Sequence, residues 1–550
     1  MSESAARPGR NRLALAAILL VGLAYATLIQ SFSWNQTSHY DLIRALDKDQ
    51  TTIDAFQENT GDKALYKGHW YSARAPGLAL FSLPFYDALK AAGAEAWARE
   101  SQAQRKDDEM IYLIGLWGNV LPGLVLLLLV WWVAERLEPG FGVAAAVTLG
   151  LGTMVLPLST LLFSHVLSAC LGFAAFALLF KERAGPENAW LTLAAGVAVG
   201  YAVASEYPLF FVGALLGLYL LSRPDARTPL AVVRRAGAYT LGGLLGIVPL
   251  LLYNHYAFHS WTHLAYSNIP RQQQGFFGIG PPSPRVLATL LFDSRGLLTI
   301  SPVLLMGGLG TVLLHRRGNR AEALTIAGIC LCYVGYNSGY YLPFGGGFMG
   351  PRFLTTLLPF LAVPVALALK RWPGPTIALA GVSITTTVVA TITHPLVGYE
   401  TETVVWARYL RQGLFQPTIA TAYGLGRGWG GIWPFLLAAA GALALAIRAT
   451  GPVRLTRASL QAGVLALSGW VLFAALGPTW LGLDHQGLLD ILHAGDTTAL
   501  SKGFGDYPLG TLAPLAAVVG LLGLAALGGC STFKSRSALR LRAGARSAHL

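Results

Sequence analysis

The chain has 550 residues, 54% of them hydrophobic and only 12% charged, with a formal net charge of +13. A soluble globular chain carries about a quarter charged residues. Here apolar runs of roughly 16 to 24 residues recur instead, which excludes a water-soluble domain and predicts an all-α polytopic membrane protein. The cysteines, Cys170, Cys330, Cys332 and Cys530, lie inside apolar runs and form no disulfide or zinc-ribbon pattern.

The first apolar helix is expected over 13–29. No small-residue cleavage site follows it, so it reads as a retained helix. Arg7, Arg10 and Arg12 precede it and place the N-terminus in the cytoplasm by the positive-inside rule. The segment 31–109 is then extracytoplasmic and holds twelve acidic residues. Within it, 38–46 reads as a short amphipathic helix. The apolar stretch 78–89 is too short to span and is expected to lie at the interface. Thirteen further runs, from 110–133 to 511–528, bring the total to about 14 transmembrane helices (13–15), with both termini cytoplasmic.

Charge supports that topology. The proposed cytoplasmic segments hold 23 of the 40 Lys and Arg residues against seven acidic ones, and the outside holds 17 basic and 20 acidic. The positive balance is therefore topological and gives no reason to expect a nucleic-acid partner. No Gly-rich phosphate loop or dinucleotide fingerprint is present, which argues against chemistry on cytosolic nucleotides. The expected organisation is a catalytic membrane module over 1–370, including the outer loop 31–109. Further helices follow over 371–528 with outer loops 394–431 and 479–509, then a basic cytoplasmic tail over 529–550.

Polar residues at the outer helix ends carry the candidate chemistry. Asp41 either closes a helix N-terminus, through the Ser38-x-x-Asp41 pattern, or serves as a general base. Arg74, just before Pro76-Gly77, is placed to neutralise a lipid phosphate or simply to snorkel to the interface. The same alternatives hold for Arg352, which follows Gly345-Gly346-Gly347, a run whose backbone amides can approach an anion. His165 and Glu206 occupy tight outer turns, as packed turn residues or as groups facing the same cavity. His255, His259 and His263 recur every four residues; a metal site is the lesser reading, because no carboxylate accompanies them.

These motifs resemble the membrane glycosyltransferases of the C-type fold (GT-C), in particular the branch containing protein O-mannosyltransferases and lipid A aminoarabinose transferases. Asp41 stands where that family has an acidic residue after its first helix. Gly61-Asp62 matches a Gly-Asp pair. Tyr71-Ser72-Ala73-Arg74-Ala75-Pro76-Gly77 matches an aromatic and basic element that opens an interfacial helix, and Gly350-Pro351-Arg352-Phe353 is similar to a Trp-Gly-Pro-Arg-Tyr element. The resemblance implies inverting transfer of a sugar from a polyprenyl-phosphate donor to a glycan, lipid or protein acceptor, on the outer face of a cell (inner) membrane. It makes Asp41 the base and Arg74, Arg352, Tyr71, His165, Asp62 and Glu206 the substrate-binding residues. Membrane lipids are the other expected partners. No cofactor is required by these motifs. A divalent metal would need carboxylates where Ala73 and His165 stand. The alternative reading is a polytopic transporter or lipid flippase using the same charges along a pathway.

Overall fold

The computed structural model describes residues 8–94, 108–223, 228–273, 276–293, 295–396 and 405–480, with 518, 520 and 521. The expected outer loop 479–509, the run 511–528 and the basic tail fall almost wholly outside these.

Helix dominates because an apolar surrounding offers nothing to backbone N–H and C=O groups, which the helix satisfies internally. Helix α1 (Pro8–Thr27) is followed by a compact outer unit. It comprises α2 (Trp34–Leu46), a hairpin of β1 (Lys63–Tyr66) and β2 (His69–Ser72), and α3 (Gly77–Ala91). At 15 residues α3 is about 22 Å long, short of the ~30 Å a bilayer core requires. The body then runs through α4 (Glu109–Leu137), α5 (Gly142–Gly152), α6 (Ser164–Ala184), α7 (Ala189–Ser205), α8 (Leu209–Leu221) and α9 (Pro229–Phe258). Beyond it come α10 (Val303–Arg316), α11 (Arg320–Ser338), α12 (Pro373–Thr393), α13 (Trp433–Ala449) and α14 (Arg457–Trp480).

Among the described residues six helices are long and apolar enough to cross a membrane, or eight if each of two bent pairs counts as one span. Length alone thus does not confirm the expected count of about fourteen spans, of which 511–528 lies almost wholly outside the described residues. Several runs that look continuous in sequence are broken in space. The run 141–162 ends as α5 at Gly152 and restarts as the five-residue helix Val155–Ser159. The run 353–369 bends by 52° between Arg352–Ala362 and Val365–Arg371.

One hydrophobic core extends from Ala14 in α1 to Trp470 in α14. It crosses position 370 without a seam: Thr387 on α12 donates to the Leu151 carbonyl at 2.5 Å, and Thr386 to that of Ile300 at 2.5 Å. Helices α7 and α9 pack closely. A Cβ at Gly196 would lie 2.2 Å from the Tyr239 carbonyl oxygen, and one at Gly242 2.1 Å from that of Leu193. Gly196/Gly200 and Gly242/Gly246 thus form small-x-x-x-small seams on both partners, the usual device for close approach where lipid supplies no hydrophobic drive. This contact brings the end of α7, at Glu206, beside the outer unit, where Tyr201 donates to the Gly77 carbonyl at 2.9 Å.

Candidate active site

The outer unit and the segment 340–353 enclose a cavity of about 460 Å³. Its first wall is the hairpin. Lys67 and Gly68 both have positive φ (49° and 86°), the turn geometry that matches the twist of two antiparallel strands. Lys63 then pairs with Ser72, and the Ala73 amide donates to the Asp62 carbonyl at 3.1 Å. Asp62 and Arg74, twelve positions apart, are thereby set side by side and form an ion pair. Ser38 on α2 fastens this junction, donating to the Asp62 carbonyl at 2.6 Å.

The opposite wall is the glycine segment. Gly345 has φ +80°, and a Cβ there would meet Arg352 Nε at 2.7 Å, so only glycine lets the chain fold over that guanidinium. Arg352 is 6% exposed and lies 5.0 Å from the Phe163 ring centroid. Arg295, also buried, donates to the Phe348 carbonyl at 3.2 Å and holds the segment in place. Tyr266, Gln272, Tyr340 and His394 also line the cavity, with Gln272 Nε2 donating to the Tyr340 hydroxyl at 2.9 Å. Arg295, Tyr266, Gln272 and Tyr340 carry no signal in the sequence; they come from connections whose side chains meet only in the fold.

Burial alone would raise the Asp62 carboxyl, but the Arg74 guanidinium beside it, with Arg352 and His39, holds it below the usual carboxylate range. Asp62 is therefore an anion at neutral pH. His39, wholly buried on α2, is pushed down to about 3, chiefly by desolvation and then by the charges of Arg74 and His165. Both of its ring nitrogens lack a hydrogen-bond partner among the described residues.

Next to Phe353, His165 and Glu206 meet: Nδ1 of His165 pairs with the Glu206 carboxylate. Ser164 and Ser168 also donate to Glu206, at 2.9 and 3.1 Å. Desolvation would raise Glu206, yet His165 and the two hydroxyls hold it below its ordinary value. The two outer turns singled out separately in sequence are thus one unit.

Two expected site residues fall elsewhere. Helix α2 begins at Trp34, where the Ser33 amide donates to the Gln36 side chain at 2.9 Å, so Ser38 caps nothing. Asn35, in the first turn, lines the cavity, whereas Asp41 is nearly two turns further on. Asp41 is wholly buried, pairs with Arg44 and accepts from Asn59 at 3.3 Å; it is absent from the cavity lining. Tyr71 is also turned away. Successive strand residues face opposite sides, and its ring packs 4.8 Å from Phe258. The three spaced histidines diverge: His255 stacks on Trp261, while His263 lies against Tyr66 and Phe258. Among the described residues no three His, Cys, Asp or Glu side chains gather as metal ligands.

No family model matches the sequence, and no curated protein matches it. Solved structures do. ArnT from Cupriavidus metallidurans is similar at 17% identity and TM-score 0.44, over 86% of this chain and 80% of that one. The Archaeoglobus fulgidus oligosaccharyltransferase is similar at 11% identity and TM-score 0.39, over 80% of this chain. The arabinosyltransferase EmbB from Mycobacterium smegmatis is similar at 15% identity and TM-score 0.41, over 96% of this chain. The chain spans 56% of the length of the oligosaccharyltransferase and 42% of EmbB.

Proposed function

We propose that the protein is a membrane glycosyltransferase that moves a sugar from a polyprenyl-phosphate donor to an acceptor hydroxyl or amine on the extracytoplasmic face. The observation that carries this reading is the cavity with the buried Arg352 on one wall and, on the facing wall, the half-buried Arg74 beside an ionised Asp62. Arg74 and Arg352 bind the donor phosphate and stabilise the charge that grows on it as it leaves. Asp62 takes the acceptor proton. The acceptor oxygen or nitrogen bonds to the anomeric carbon, the bond from that carbon to the phosphate oxygen breaks, and the lipid phosphate departs with its electron pair. Attack opposite the leaving phosphate inverts the anomeric centre.

This assignment moves the base from Asp41 to Asp62, because Asp41 presents no surface to a substrate. His165 and Glu206 support the wall beneath Phe353. The arginine-rich helix ends face the cytoplasm, and a bacterial inner membrane suits this arrangement.

The test supplies the full chain in lipid nanodiscs with labelled polyprenyl-phosphate sugars and a membrane extract of acceptors. Labelled product with equimolar release of polyprenyl phosphate is expected, and Asp62→Asn should abolish it. Movement of intact glycolipid between leaflets of sealed vesicles, with no covalent transfer, would instead identify a flippase.

A further inference from the structure

Trp34, the first residue of α2, lines the cavity and is 65% exposed, whereas its neighbour Asn35 is 5% exposed. A Cβ at Gly61 would lie 2.7, 2.8 and 2.9 Å from three adjoining indole atoms, Cε3, Cδ2 and Cζ3. Near-equal distances to neighbouring ring atoms put Gly61 under the face of the ring rather than at its edge. The indole is laid flat on a glycine, and its exposure leaves the other face open.

The ring is also fixed relative to Asp62. The Thr60 hydroxyl donates to the Trp34 carbonyl at 2.7 Å and accepts from the Asp62 amide at 3.0 Å. Asp62 follows Gly61 directly, so the open aromatic face and the carboxylate that takes the proton are tied to one stretch of backbone. Asn35 adds a polar group to the same wall, because its Oδ1 has no hydrogen-bond partner among the described residues. A buried amide oxygen there is costly unless a ligand donor reaches it.

This pairing suits a sugar ring. The C–H face of a sugar is weakly positive and packs on the negative face of an aromatic, while a hydroxyl at its edge donates to an amide oxygen. An alkyl or polyprenyl chain has no donor for Asn35. An indole that anchors a protein in the headgroup layer faces lipid. Trp34 instead shares its wall with Ser31, Ser33, Asn35 and Asp62.

We propose that the acceptor is a saccharide, whose terminal ring stacks on Trp34 and donates one hydroxyl to Asn35 while another faces Asp62. The inference rests on the glycosyltransferase reading above, and its test separates the two. The full chain in nanodiscs receives a labelled polyprenyl-phosphate sugar and graded amounts of membrane extract. Partial acid hydrolysis of the product is expected to release a disaccharide with the labelled sugar at its non-reducing end. Trp34→Ala should raise the extract concentration needed for half-maximal transfer about tenfold, and Trp34→Phe should retain most of the affinity. Displacement of a fluorescent polyprenyl phosphate should be unchanged in both. Gly61→Ala, which shifts the indole without removing it, should act in the same direction as Trp34→Ala. Label on a peptide or on a lipid without sugar would overturn the inference and leave the transfer reading standing. So would an unchanged acceptor requirement in Trp34→Ala. Absence of any labelled product, with the donor recovered intact, would overturn both.

Discussion

At one end of the helical body Glu182 receives Arg223 at 2.7 Å and Arg235 at 2.9 Å, while Glu138 receives Arg317 and Lys370. At the other end, Asn35, His39 and Gln272 keep buried polar atoms unpaired among the described residues. Helix α6 joins the two, with His165 in its first turn and Glu182 in its last, about 26 Å apart at 1.5 Å per residue. Both ends bury charge, but only at the first do two carboxylates, Glu182 and Glu138, each receive two cations. Matched buried ions fix helix ends. Unmatched polar atoms beside a cavity are costly unless a ligand completes them.

Mutations should separate these two kinds of burial. The largest effect is expected from Asp62→Asn, which should lower transfer by about 10²–10⁴-fold, the usual range for loss of a positioned proton acceptor. Donor binding should persist in the variant, and its loss together with a collapsed unfolding midpoint would place Asp62 with the structural ions.

Glu182→Ala should act the other way. It strands Arg223 and Arg235 without a counter-charge, which typically costs about 3–5 kcal/mol. Thermal unfolding in detergent should show the loss, and whatever protein still folds should bind donor normally.

Arg352→Ala should weaken polyprenyl-phosphate binding by about 10- to 150-fold, equivalent to losing ~1.5–3 kcal/mol of charged hydrogen bonding. Unchanged affinity for a fluorescent polyprenyl phosphate, measured on the full chain in nanodiscs, would remove Arg352 from the phosphate site.

His39 gives a pH signature. Its folded value of about 3 lies below the unfolded value of about 6.5, so the unfolded chain binds the extra proton between them. Stability is complete above about 6.5 and should fall by about 1.4 kcal/mol for each pH unit below it. His39→Gln should flatten that slope. Asp62 follows the same sign at lower pH: its contribution is full above the unfolded carboxyl value of about 3.9 and is lost as pH falls through the lower folded value. The smallest effect on transfer is expected from Asp41→Asn, which should leave activity within about tenfold, since a buried partner of Arg44 touches no substrate. A loss as deep as that of Asp62→Asn would restore Asp41 as the base.

Most residues legible in sequence share one property. Arg74, Arg352, His165 and Glu206 are polar groups at the ends of apolar runs, where their cost makes them conspicuous, while Asp62 is legible only through the Gly61-Asp62 pair. Asp41 was conspicuous for the same reason, but its role depends on helical phase. A start at Trp34 rather than Ser38 puts Asn35 at the cavity and Asp41 nearly two turns beyond it. Tyr71 lies away from the cavity because neighbouring residues of β2 face opposite sides, a phase that hydropathy does not reveal.

Sequence alone determined that this chain is helical, apolar and rich in arginine along alternate connections, because composition and run length report directly on the solvent a segment meets. Tertiary structure decided which polar groups share a cavity. The pairings of Asp62 with Arg74 and of His165 with Glu206, and the closure of Gly345 over Arg352, depend on a two-residue turn, a helix start and a glycine-lined helix seam. Each sets a direction in space, and hydropathy along a chain carries no direction.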